Sequence, residues 1–291
     1  MLSLTSRRLR FTIGSGPSRA LLDYHPVAGA DCLLFYPGSM SSPYQYDVFL
    51  SALRQQGLST AALHFTGHGS MPHNAVFTFA TLLQNALDAE ALLRSRGVCR
   101  LAVCGHSQGA ILTLAHAAQS SRLSLALPIA GCYPQQDDAI TLTLFSRWQT
   151  RRSRLQNALR TAARRFPRLP IPLQAYLSPA RILAGGHGMR RRATRQRSSY
   201  PLAFLYSLFA AQLPEQARCP VHMLAAANDA LFTPDIVRHA YARLQAPRKS
   251  LFWLPDGGHL AILVPRIALT AARHIAACCA GAGLRLGRQR A

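Results

Sequence analysis

Along the first 130 residues, short apolar runs alternate with longer stretches in which apolar positions recur at helical spacing. Residues 8–13 and 20–26 flank the turn Gly14-Ser15-Gly16-Pro17 and predict a hairpin. The run 32–36 predicts a strand, 44–56 a helix closed by Gly57, and 59–65 a second strand. From 77 to 96, Leu82, Leu83, Ala86, Leu87, Ala89, Leu92 and Leu93 repeat at helical intervals until Gly97 stops them. Residues 100–104 form a further apolar run leading into a glycine, followed by a helix over 109–119 and a strand over 124–130. Strands that alternate with helices in this way predict a mostly parallel sheet with crossover helices.

That alternation breaks between 133 and 216, where strand pattern is sparse and prolines stand at 134, 167, 170, 172, 179, 201 and 214. It resumes with a strand over 221–226, a helix over 235–244 opened by Pro234, a strand over 250–254 and a last helix from about 260 to 280. The tail from Gly281 is polar and basic and is expected to fray. The expected organisation is a core of residues 1–133 and 216–291 with an inserted, mainly helical, arginine-rich cap of 134–215, and no internal repeat.

With 291 residues, 49% of them hydrophobic, the chain can bury one large core and carry such an insertion. No apolar stretch reaches eighteen residues, and no apolar run follows Arg7, Arg8 and Arg10, so neither a signal peptide nor a membrane span is expected and the location is read as cytoplasmic. Seven cysteines without paired spacing read as buried free thiols; no metal and no cofactor is expected.

Charge changes the picture more. Lys and Arg number 33 against 11 Asp and Glu, a formal net charge of +22, and Lys249 is the sole lysine. Half of that excess falls in 134–215, where 14 arginines face Asp137, Asp138 and Glu215. Within 142–166, Trp148, Leu155, Leu159, Ala162 and Phe166 recur at helical intervals beside Arg147, Arg151, Arg154 and Arg165, which predicts an amphipathic helix with a basic flank. Arg190, Arg191, Arg192, Arg195 and Arg197 read as an exposed loop, and 201–213 as an apolar lid helix able to line an acyl pocket. The basic cap fits an anionic lipid surface or an acidic carrier. Nucleic acid is not expected, because aromatic interleaving and any recognised binding module are missing. Genomic base composition would account for the same arginine bias with no partner at all.

The candidate chemistry centres on Gly105-His106-Ser107-Gln108-Gly109, which sits between a predicted strand and a predicted helix. A serine hydroxyl needs a base to take its proton and a carboxylate to orient that base. Asp229 follows the strand over 221–226 and His259 follows the strand over 250–254, so both stand at strand ends that open on a ligand crevice. Asp137 or Asp138 is the rival acid. Asp235 reads as a first-turn helix residue, Asp256 as a turn residue, and His239 and His274 as structural or solvated.

With the order Ser, Asp, His, the sequence resembles the α/β-hydrolase fold of serine hydrolases over 8–135 and 221–280. The resemblance implies an α/β sheet flanked by helices with an inserted cap, and Ser107, Asp229 and His259 as a catalytic triad. It implies oxyanion-hole N–H groups from Gln108 and from Ser39, with Met40 a lesser candidate, although Pro37-Gly38 stands where many relatives carry His-Gly. The loop from His64 to Ser70 is similar to the Asp-x-x-Gly-x-Gly-x-Ser stretch of esterases and lipases, with His64 in place of the Asp; His64 and His68 are read as structural. His187 lacks spaced partners for a metal. The expected activity is hydrolysis of carboxylic esters, lipid or lysophospholipid-like, through an acyl-serine. The alternatives are a thioesterase or acyltransferase acting on a carrier- or CoA-bound acyl group, and a non-catalytic basic binding protein.

Overall fold

The computed structural model of the protein describes residues 8–69, 71, 76–184 and 199–287. His187 and the arginines at 190, 191, 192, 195 and 197 lie outside them.

Strands β1 (Leu9–Ile13) and β2 (Ala20–His25) pair as the antiparallel hairpin expected at the start of the chain. Then β3 (Cys32–Tyr36), α1 (Asp47–Gln55), β4 (Ser59–His64), α2 (Phe79–Ser95), β5 (Leu101–His106), α3 (Gln108–Gln119) and β6 (Leu125–Ile129) alternate as the hydrophobic pattern predicts. The 134–215 segment carries α4 (Arg152–Arg165), β7 (Pro170–Pro172), α5 (Pro179–Leu183), β8 (Ser199–Pro201) and α6 (Leu202–Phe209), with β7 and β8 paired antiparallel. Last come β9 (Val221–Ala226), α7 (Pro234–Arg243), β10 (Lys249–Leu254) and α8 (Pro265–Gly281).

Eight strands form one sheet in the order β1-β2-β4-β3-β5-β6-β9-β10, parallel from β4 through β10 and antiparallel at the β1–β2 end. Because side chains alternate across a strand, Leu34 and Tyr36 join one buried layer with Leu82 and Leu93 of α2, while Leu33 and Phe35 join another with Phe49 of α1 and Ile275 of α8. Helices therefore cover both faces, and the inner strands β3 to β6 are buried along their whole length.

Four expectations are corrected. The amphipathic helix expected over 142–166 is shorter: 3-10 turns occupy Asp137–Leu142 and Ser146–Arg151, and only α4 is α-helical. Trp148 and Phe166, expected on its apolar stripe, stand outside α4 and are 39% and 55% exposed. Trp148 lies in a 3-10 turn, whose tighter winding moves it off the stripe, and Phe166 precedes Pro167, which disfavours a helical backbone there. Secondly, a 3-10 turn over Gly258–Leu263 precedes the last helix, which begins only at Pro265, a residue without an N–H that fits a first helical position. Thirdly, the tail does not fray at Gly281: Leu284 is buried, Arg285 N–H donates to Asp31 at 2.8 Å, and Gly287 N–H donates to the Gly57 carbonyl at 2.8 Å. Fourthly, although all seven cysteines are free, Cys99 is exposed and Cys278 half-buried. Among the described residues no helix is long and apolar enough to cross a membrane.

Candidate active site

Ser107 sits between the end of β5 and the start of α3 with φ 58° and ψ −119°, in the left-handed region that non-glycine residues seldom occupy. The bend is secured from beside it, since Ser107 N–H donates to the Ile129 carbonyl of β6 at 2.9 Å. It also needs two bare Cα positions. A Cβ on Gly105 would overlap the Gly109 carbonyl, and one on Gly109 would overlap the Tyr36 carbonyl.

At the far side of the sheet's C-terminal edge, Asp229 follows β9 and His259 follows β10. His259 Nε2 is 3.0 Å from Ser107 Oγ, and His259 Nδ1 is 2.9 Å from Asp229 Oδ2. A carboxylate accepts only, so Nδ1 carries the proton and Nε2 is left to accept from the serine hydroxyl. The other Asp229 oxygen accepts the N–H groups of Leu231 and Phe232 at 2.8 and 2.9 Å, which orients the carboxylate. Phe232 stacks on the His259 ring at 5.3 Å, 7° from parallel. Gly257 and Gly258, both at positive φ, turn the chain into the base, and Gly258 N–H donates to Asn228 Oδ1 at 2.9 Å, tying the base loop to the acid loop.

The turn after β3 lies across from Ser107. Gly38 N–H donates to the Tyr46 hydroxyl at 3.0 Å, and Met40 N–H to the Tyr200 hydroxyl. Between them, the Ser39 N–H has no acceptor among the described residues, and neither does the Gln108 N–H at the positive end of α3. Their side chains are joined as well. Ser39 Oγ donates to Gln108 Oε1 at 3.0 Å; Gln108 Nε2 donates to His68 Nε2 at 2.8 Å, while His68 Nδ1 donates to the Thr66 carbonyl at 3.0 Å.

Ser107, Ser39 and Gln108 open on a cavity of about 340 Å³ whose walls are mostly apolar. Ile111 of α3, Leu159 of α4, Leu205 and Leu208 of α6, and Leu231 line it. Most of the lining beyond the elbow comes from the 134–215 segment.

The remaining candidates are occupied elsewhere. His64 Nε2 and Arg10 both bond Asp23, at 2.9 and 2.7 Å; burial alone would raise that carboxyl, but these two donors hold it well below the usual carboxylate range. Asp138 pairs with His239 at 2.7 Å, Asp235 with Arg238 at 2.9 Å, and Asp256 accepts from Gly257 N–H at 2.6 Å. His274 stacks on Phe252. No metal-binding cluster of His, Cys, Asp or Glu occurs among the described residues. Nothing in the sequence points to Tyr46, to Tyr200 or to the contacts of His106, whose Nδ1 lies 2.9 Å from the Tyr46 hydroxyl and whose Nε2 lies 2.8 Å from the His259 carbonyl. His106 was visible inside the Gly-x-Ser-x-Gly stretch, but the two tyrosines are remote in sequence and carry no local motif.

No curated protein matches the chain. Among solved structures, a hypothetical protein from Pseudomonas aeruginosa superposes with a TM-score of 0.72 at 14% identity, over 97% of this chain and 95% of that one. A soluble variant of monoglyceride lipase from Saccharomyces cerevisiae gives 0.68 at 13% identity over 96% and 98%. Alpha/beta hydrolase domain-containing protein 10 from mouse gives 0.64 at 15% over 94% and 99%. At these identities the likeness is one of fold. The profile of the alpha/beta hydrolase family matches residues 33–272, from β3 to within α8 and across all three of Ser107, Asp229 and His259, and the chain belongs to that family.

Proposed function

We propose that the protein is a serine hydrolase that cleaves carboxylic esters of apolar acyl chains through an acyl-serine. The observation that carries this reading is the unbroken chain Ser107 Oγ, His259 Nε2, His259 Nδ1, Asp229 Oδ2, with links of 3.0 and 2.9 Å, at the mouth of an apolar cavity.

In the proposed mechanism His259 takes the Ser107 proton as Oγ adds to the ester carbonyl, and Asp229 stabilises the imidazolium that forms. The N–H groups of Ser39 and Gln108 then hold the oxyanion, each donor contributing about 3 kcal/mol to the transition state. His259 returns the proton to the departing alcohol. Water, deprotonated by the same imidazole, releases the acid from the serine.

Residues 134–215 act in this reading as a cap over an acyl-chain pocket. Between Ala139 and Leu213 the sequence has no acidic residue, and Arg147, Arg151, Arg154, Arg160, Arg164, Arg165 and Arg168 make no ion pair among the described residues. That surface favours an amphiphile with an anionic head, a lysophospholipid or a lipid surface that holds one. The same arginines support a second reading, an acyl thioester on a phosphorylated carrier or CoA.

The test is labelling by a fluorophosphonate, then turnover of a panel of neutral esters, lysophospholipids and acyl thioesters of rising chain length. Labelling of wild type and not of Ser107→Ala is expected; equal labelling of both ends the proposal.

A further inference from the structure

His106 precedes Ser107 on β5 and turns its side chain into a buried space between two loops that carry the candidate chemistry. Its Nε2 lies 2.8 Å from the backbone carbonyl of His259. A carbonyl only accepts, so Nε2 holds the proton and the neutral ring leaves Nδ1 bare. Nδ1 lies 2.9 Å from the Tyr46 hydroxyl, which must therefore donate, and the tyrosine oxygen accepts Gly38 N–H at 3.0 Å. Every hydrogen in the series has one direction: Gly38 to Tyr46, Tyr46 to His106, His106 to the His259 carbonyl. Tyr46 and His106 are each 2% exposed, so water does not compete for these bonds. The contact is close, since a Cβ on Gly38 would stand 2.9 Å from the Tyr46 hydroxyl.

We infer that His106 and Tyr46 are positioning residues that hold the oxyanion turn and the base loop in register on either side of Ser107. The consequence for catalysis rests on the proposed reading of Ser107 as nucleophile; the hydrogen-bond series itself does not.

Three separate loops must meet within a few tenths of an ångström for the proposed reaction, and a displacement of about 1 Å can cost roughly a hundredfold in rate. The turn 37–41 follows β3 and the base follows β10, with β5, β6 and β9 between β3 and β10 in the sheet. Among the described residues no backbone bond joins that turn directly to the base loop. The imidazole at 106 spans the gap, and because it is adjacent in sequence to Ser107 it moves with the nucleophile. Burial first, and then the nearness of His259, push the His106 pKa down to about 3, so the ring remains neutral and Nδ1 remains an acceptor under ordinary assay conditions. Tyr200 secures the same turn from the other side through Met40, which leaves Ser39 N–H between two fixed neighbours.

Tyr46→Phe removes one hydroxyl and strands two partners. On a short ester it is expected to lower kcat about ten- to a hundredfold with KM within about threefold, because the loss falls on oxyanion placement rather than on substrate binding. His106→Gln retains an amide donor toward the His259 carbonyl and breaks the tyrosine link; a fall in kcat smaller than that of Tyr46→Phe is expected. The double variant should be no slower than Tyr46→Phe alone, since both act through one series. If Tyr46→Phe melts lower but turns over at the wild-type rate per fluorophosphonate-titrated site, the inference is overturned. Should wild type not label at all, the reading of Ser107 fails, and nitrogen-15 histidine NMR still decides the bridge. His106 protonated on Nε2, with Gly38 amide exchange faster in Tyr46→Phe, supports it; His106 protonated on Nδ1 sinks it.

Discussion

The backbone of Gly109 packs directly on the carbonyl oxygen of Tyr36, leaving no room between α3 and the end of β3 for even a methyl group. The distance that the missing Cβ permits sets how near Ser107 comes to the turn bearing Ser39. Gly109→Ala is therefore expected to cost about 1–3 kcal/mol of stability through overpacking and to slow fluorophosphonate labelling in whatever fraction remains folded. Chemical denaturation with an active-site titration measures both. Wild-type stability in that variant contradicts the packing argument.

Asp229 and Asp138 make opposite predictions. Asp229→Asn keeps the shape of the side chain but puts a carboxamide where the carboxylate that fixes the His259 tautomer stood, and kcat should drop by roughly 10⁴ with little change in melting. Asp138 pairs with the exposed His239 instead, so Asp138→Asn should leave kcat within about twofold. Steady-state rates on one ester separate the two; a reversed order would make Asp138 the acid.

Tyr176 contributes its ring to the cavity wall, while its hydroxyl is buried without a hydrogen-bond partner among the described residues. Deleting an unsatisfied buried hydroxyl removes a penalty and loses no bond. Tyr176→Phe should raise stability by about 1 kcal/mol, read as a melting point higher by roughly 2 °C. A lower melting point would mean that the hydroxyl is satisfied after all.

Chain-length preference follows from the cavity. Each methylene that enters it should contribute up to about 0.8 kcal/mol, close to fourfold in kcat/KM, until the space is full. Leu208 is on the lining, and Leu208→Trp takes up part of that space, so it should depress kcat/KM for long acyl esters while acetyl esters, which need little of it, are less affected. A uniform loss across chain lengths would place the acyl chain elsewhere.

The depressed His106 pKa also has a stability signature. Between about 6.5, the ordinary histidine value, and about 3, the unfolded chain takes up a proton at this position that the folded protein refuses. The contribution is whole above pH 6.5 and is lost as pH falls toward 3. The stability difference between wild type and His106→Gln should shrink over that interval; a difference that stays constant would mean the ring protonates in place.

The sheet and the candidate triad were legible because each had a local signature. Strands β3 to β6 are apolar runs ended by turns, and Ser107, Asp229 and His259 all stand just past strand ends. What escaped was decided by tertiary contact. Phe166 and Trp148 match the helical stripe in sequence, yet a proline and a 3-10 turn put both at the surface. Leu284 and Arg285 look like a basic tail, yet Leu284 is buried in the apolar layer, and Asp31, more than 250 residues earlier, holds Arg285. Tyr46 and Tyr200 have no motif around them; only folding brings their hydroxyls to the turn at 38–40.

The docking of Leu284, Arg285 and Gly287 against Asp31 and Gly57 occurs where β3 and β4 begin, whereas Ser107 stands where β5 ends. In a parallel sheet these are opposite rims. Gly287, the last described residue, thus lies at the pole away from the cavity mouth, and a bead or electrode tethered at that pole would present that mouth to the bulk. An attachment through Cys99, the exposed thiol just before β5 begins, would orient the molecule the same way.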